Sequence, residues 1–338
     1  MTTTRRNFIA KSVLTAAGVT AGINSGLLSG ARLSGEETSP VFPGSADTGD
    51  AFRISIFSKH LHWLDYKGMA EALADLGFDG ADLTVRPGGH VLPENVETDL
   101  PKAVEALSKK GKKVFMITTS VIDADDPVSE KILKTASSLG IKHYRTGYLY
   151  YKDKNPVKDD ITQFHKQLGK LAALNAKYSV SGEYQNHSGN YGQGIYFGAP
   201  IWDLAAALEK INSPWLGSQY DVYHATVEGA NAWTVGLRLI SRYIRSADIK
   251  DFRWMTQDGK TRSVTVPLGE GMVDFKTFFT LLKEYKVSIP LSMHFEYPLG
   301  GSEHGNRELT MKKEDVLASM KKDLDTLKKY LKEAGLAG

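Results

Sequence analysis

From Ala51 onward the chain alternates eight times, without a break, between short apolar runs and amphipathic stretches. The strand-like runs fall at 52–57, 80–85, 113–119, 143–147, 180–187, 216–221, 243–250 and 289–296. Helical spacing fills the intervals. In the first of them Met69, Leu73 and Leu76 recur on one face until Gly77 stops the pattern. The others run over 100–110, 127–140, 161–177, 200–211, 232–240 and 275–285, and a charged helix at 312–333 closes the chain. Strands joined through helices must be parallel, because a crossover returns the chain to the same end of the sheet. Eight such units are most simply accommodated by closure into a (β/α)8 barrel, an α/β fold forming a single domain over 51–338. An open dinucleotide-binding sheet would carry G-x-G-x-x-G after its first strand, and none is present.

The residues before the barrel read differently. Arg5, Arg6 and Lys11 have no acidic neighbour within 1–31, and a weakly apolar Ala/Gly-rich stretch follows them. Thr4-Arg5-Arg6-Asn7-Phe8 resembles a twin-arginine export motif. Residues 1–31 are therefore expected to be a signal peptide, and 32–50, rich in Ser, Gly, Pro and acids, a linker. The apolar stretch is too broken by glycines to anchor stably in a membrane. An exported, periplasmic protein is the expectation.

The charge balance depends on that segment. The chain carries +3 overall, and subtracting its three cations (+3 − 3) leaves a neutral body. A neutral body lacks the basic footprint that phosphate-backbone binding requires, so no nucleic-acid partner is expected. With no cysteine, disulfides, thiolate metal sites and cysteine nucleophiles are excluded.

Chemistry in such a barrel sits where strands give way to loops. By period-two alternation Glu183, Gln185 and His187 share a face, as do Asp248 and Lys250, and His294 and Glu296, while Asp221 and His224 end the sixth run. Burying four consecutive ends of this kind without a cation or substrate would be costly.

These stretches also carry a resemblance. Gly182 to His187, Asp221-x-x-His224, Asp248-x-Lys250-Asp251, Leu268-Gly269-Glu270-Gly271-x-Val273-Asp274-Phe275 and Pro290 to Glu296 resemble the xylose isomerase-like TIM-barrel family of sugar isomerases and epimerases. The resemblance implies a divalent ion (Mn²⁺, Co²⁺, Mg²⁺ or Zn²⁺) held by Glu, Asp, His and Glu from the last four strands. Those positions are here Gln185, Asp221, Asp248 and His294, an oxygen-rich set with one imidazole. Glu183 and Glu296 are the candidates for proton transfer, Lys250 for stabilising an enediolate oxygen, and His224 for contacting substrate. His60, Trp63, His187 and Arg253 are candidates for binding the sugar; Arg86 and His90 could reach it from a Pro-Gly-Gly loop, although they read first as ordinary loop residues. A homo-oligomer packed through barrel helices is also implied.

The leading functional expectation is a sugar isomerase or epimerase acting on a free or oxidised (keto) carbohydrate by metal-assisted α-proton abstraction. A 3-keto-glycoside lyase or hydratase would use the same abstraction and then expel the glycosidic oxygen. A non-catalytic periplasmic sugar-binding protein is the third reading.

Overall fold

The computed structural model describes residues 52–189 and 194–336. The expected signal peptide and linker lie outside the described residues. Eight parallel strands close into a barrel in chain order. They are β1 (Ile54–Phe57), β2 (Gly80–Val85), β3 (Lys113–Thr119), β4 (His143–Arg145), β5 (Ser181–Gln185), β6 (Leu216–Asp221), β7 (Ile244–Ile249) and β8 (Leu291–Met293). Closure is direct: β8 pairs with β1, setting Leu291 opposite Ile54. The closed barrel has no edge strand.

The helices form for local reasons and then pack outward-facing strand residues. Helix α1 (Tyr66–Leu76) starts where the Asp65 carboxylate accepts the Gly68 N–H, and it ends at Gly77 with φ 85°. Its Met69 and Leu73 are fully buried, each contributing about 1.5–3 kcal/mol of burial. Around the barrel follow α2 (Val96–Ser108), α3 (Pro127–Ser138), α4 (Val157–Tyr178) and α5 (Trp202–Ile211). The ring is completed by α6 (Val222–Gly229), α7 (Trp233–Ile240), α8 (Phe275–Glu284) and α9 (Lys313–Ala334). Among the described residues no helix is long and apolar enough to cross a membrane.

Two features depart from the sequence pattern. A helix begins directly after β6, because Asp221 caps α6 by accepting the His224 N–H (3.1 Å). Residues 251–266 form an antiparallel hairpin, Asp251–Gln257 against Lys260–Val266. Most of its residues are exposed, so it buries too little to imprint a hydrophobic period. Its turn, Asp258-Gly259, has φ of 51° and 69°, the left-handed pair that a two-residue hairpin loop needs.

Candidate active site

The C-terminal ends of the strands surround an open cleft of about 480 Å³. Lys250 is its centre of charge. The side chain is 1% exposed, and its Nζ lies 2.9 Å from His224 Nε2, 3.1 Å from Asp221 Oδ2 and 3.2 Å from Glu296 Oε2. An ammonium has three protons, and each here has an acceptor. Burial opposes the charge, but Asp221 and Glu296 outweigh it and hold the Lys250 pKa above its usual value. Lys250 is therefore a fixed cation.

Its neighbours respond. Burial alone would raise the Glu296 carboxyl, yet Lys250 and Lys59 hold it well below the usual range. Lys59 donates to Glu296 Oε1 at 3.4 Å. Burial and Lys250 together push His224 well below the usual histidine range, and His187 down to about 3. With His224 Nε2 accepting from the ammonium, Nδ1 carries the proton and donates to Ser188 Oγ (2.7 Å). The two imidazoles stay neutral beside a permanent positive charge.

The sequence candidates sort by depth. Gln185, His187, His224, Lys250 and Glu296 line the cleft. Asp221, Asp248 and His294 lie behind that lining, none more than 4% exposed. Glu183 is fully buried among its partners, where Oε1 meets His143 Nδ1 at 2.5 Å and Oε2 accepts from the Ser246 hydroxyl. His60 is fully buried, its Nε2 accepting the Phe295 N–H (3.0 Å) and its Nδ1 facing Ser302 O (3.2 Å). Trp63 donates to His60 O (3.0 Å) under Lys313, outside the cleft lining. Arg253 is exposed on the hairpin and donates to the Glu270 carbonyl (3.0 Å).

The sequence pattern does not single out Lys59, Arg145, Tyr148 or Tyr223, all in the lining, and Arg86, read first as a loop residue that could reach substrate, lines the cleft. Arg145 had a signal, since it stands two residues after His143 on the inward face of β4. The other three lie outside strands, where period-two alternation is silent.

The glycine-rich stretch that carries the resemblance has a physical explanation in Asp251. This carboxylate accepts the N–H groups of Gly269 (3.0 Å), Gly271 (3.0 Å) and Val273 (3.1 Å), folding the loop around itself. A Cβ on Gly271 would sit 2.1 Å from Asp251 Oδ1 and 2.5 Å from Phe252 O. We expect Gly271→Ala to cost about 1–3 kcal/mol in urea unfolding. A wild-type midpoint would show that this loop yields freely.

Whether a divalent ion fits turns on which way Gln185 faces. Its Oε1 accepts from Arg145 (3.1 Å) and from the Tyr148 hydroxyl. Its Nε2 donates to Asp221 Oδ2 (2.9 Å) and Asp248 Oδ2 (2.5 Å). A guanidinium can only donate and a carboxylate can only accept, so this assignment of the amide is forced by its partners. Gln185 thus presents protons where the resemblance requires a ligand oxygen. The Lys250 ammonium engages the same Asp221 Oδ2. Gln185, Asp221, Asp248 and His294 do not fit a divalent ion held between them. A different buried trio, Asp82, Asp248 and His294, brings one donor atom each within 4.8 Å of one another. It lies behind the cleft lining, so an ion there could not meet substrate oxygens, as Lewis-acid catalysis demands.

A family model described as a xylose isomerase-like TIM barrel matches residues 70–330. D-Psicose 3-epimerase of Clostridium cellulolyticum H10, solved with D-tagatose, superposes with TM-score 0.62 at 12% identity, over 83% of this chain and 99% of that one. The probable 3-DHS dehydratase of Bacillus anthracis gives 0.60 at 15%, over 81% and 99%. The 3-keto-D-glucoside 4-epimerase of E. coli gives 0.58 at 13%, over 82% and 99%. At such identities these likenesses show the shared fold. No curated protein matches the chain by sequence. The family match spans seven of the eight strands built above and most of the chain, and the chain therefore belongs to the xylose isomerase-like TIM barrel family.

Proposed function

We propose that this protein is a carbohydrate isomerase or epimerase that moves a proton on the carbon beside a sugar carbonyl. One observation carries the reading: a permanently charged Lys250 and the carboxylate of Glu296 lie 3.2 Å apart in the wall of one cleft. Removing an α-proton places negative charge on the carbonyl oxygen, and a buried ammonium is suited to receive it. All three Lys250 protons are already engaged, so a substrate oxygen must displace an acceptor. Glu296, with 27% of its side chain exposed, is more accessible than the fully buried Asp221. Losing Lys250 would raise the basicity of Glu296 at the moment a base is required. Binding and activation are then one event.

Glu183, closed in by His143 and Ser246, takes no part in this scheme. The scheme routes no step through a metal ion, because the donor set faces the wrong way. The names of the structural neighbours, two epimerases among them, support a carbohydrate substrate. The reading includes export through the Arg5-Arg6 segment, which lies outside the described residues.

The test is exchange in D₂O. Incubation with neutral ketoses, 3-keto-glucosides and uronates should place deuterium at the α-carbon of at least one substrate, read by NMR. Glu296→Gln should slow that exchange about 10²–10⁴-fold. No exchange with any of them would defeat the enolisation reading, and eliminated products would show a lyase.

A further inference from the structure

The cleft lining contains Lys59, Arg86, Arg145 and Lys250 against the carboxylates of Glu296 and Glu303. Lys59 and Lys250 already pair with Glu296. The guanidinium groups remain. Arg86 follows β2 and Arg145 ends β4, and both lie over the ring of Phe57, at 5.3 Å and 5.2 Å from its centroid. Among the described residues the Arg86 guanidinium has no hydrogen-bond acceptor. Arg145 is 5% exposed, gives one proton to Gln185 Oε1, and keeps a buried Nε without a partner.

Two guanidiniums drawn to one ring repel each other. Burial, with Arg145 adding to it, lowers Arg86 to about 10. The buried carboxylates beneath do not satisfy them. Asp82 accepts from Thr118 (2.7 Å) and Ser292 (2.9 Å), Asp221 from Lys250 and Gln185, and Asp248 from Gln185. Unsatisfied donors on like-charged groups in a cleft are costly unless a ligand supplies the acceptors. A planar fork of N–H groups suits an oxyanion held by two or more hydrogen bonds.

We propose that Arg86 and Arg145 hold an anionic group of the substrate, a carboxylate or a phosphate, so that the cleft takes an acidic sugar. This inference rests on the carbohydrate reading above and adds the substrate class to it. In barrel order Arg86 and Arg145 flank β3, which lies across the barrel from β7, the strand that leads into Lys250. The acidic sugar spans the mouth, its anion on one wall and its reacting carbon on the other.

Calorimetric titration of the purified protein with D-glucose, D-glucuronate and D-glucose 6-phosphate tests the inference. We expect at least one acidic sugar to bind ten-fold or more tightly than glucose, and the stronger of the two identifies the anion. Arg86→Gln should abolish that preference, while Arg86→Lys should retain part of it. Arg86 is half-buried and its guanidinium bonds no acceptor among the described residues, so the fold should survive, as an unchanged melting midpoint would show. Equal binding of neutral and acidic sugars, or a preference that survives Arg86→Gln, would overturn the anion site and leave the carbohydrate reading standing. Binding of none of the three, together with no deuterium exchange in the wider panel, would overturn both.

Discussion

Replacing Lys250 with Met should unfold the protein more easily by about 3–5 kcal/mol, the loss expected when one partner of a buried ion pair is removed. The same substitution should lower deuterium exchange by at least about 10²-fold, as losing an oxyanion donor does. Both effects have one source. Asp221 is fully buried and pairs with Lys250 at 3.1 Å, and without the ammonium its negative charge keeps the neutral Gln185 amide and the His224 N–H as its hydrogen-bond donors among the described residues. Burial already pushes Asp221 up to about 6 with Lys250 opposing the rise, so the variant should recover stability as the carboxyl takes up a proton. Adding Asp221→Asn to Lys250→Met should restore much of the folding free energy and none of the exchange. Urea denaturation and NMR read the two quantities separately. If exchange returned with stability, Lys250 would be a structural cation and its place in the chemistry would fall.

The second large effect concerns metal. Wild-type protein incubated with excess Mn²⁺ and dialysed should retain far less than one ion per chain by mass spectrometry. Combining Gln185→Glu with Lys250→Ala removes the two groups that point protons at Asp221 Oδ2 and replaces an amide with a carboxylate. That double variant should hold about one Mn²⁺ and gain thermal stability as the ion is added, since a ligand that binds the folded state stabilises it. One tightly held ion on the wild-type chain, lost with Asp221→Asn, would restore the four-ligand arrangement implied by the family resemblance.

Much of the barrel is readable because its constraints are local. Asp65 and Gly77 bracket α1 by a cap at each end, and four strands match their apolar runs to within a residue at either end. The site is harder for a reason of geometry. Period-two alternation tells which face of a strand a residue occupies and is blind to its height along the barrel axis. Glu183 and Gln185 share the inward face, yet one is enclosed by His143 and Ser246 while the other borders the cleft. Residue type misleads in the same way at Gln185. An amide in a ligand position reads as a weak oxygen donor until Arg145 and Tyr148 are seen to claim that oxygen. Arg86 and Arg145, 59 positions apart in sequence, come to one ring only because β1 ends at Phe57 beneath both.

The hairpin that overhangs the site has a bearing on how this protein can change over time. Its strands pair with each other from Asp251–Val266 to Gln257–Lys260 and with no barrel strand. Its second strand nevertheless supplies Ser263 and Thr265 to the cleft wall. Lengthening or shortening it by a residue pair at its exposed turn end, away from the buried Phe252, moves no barrel register. Selection can therefore reshape one wall of the cleft through insertions and deletions there, at little risk to folding, while the strand ends that carry Arg145 and Gln185 change by substitution alone.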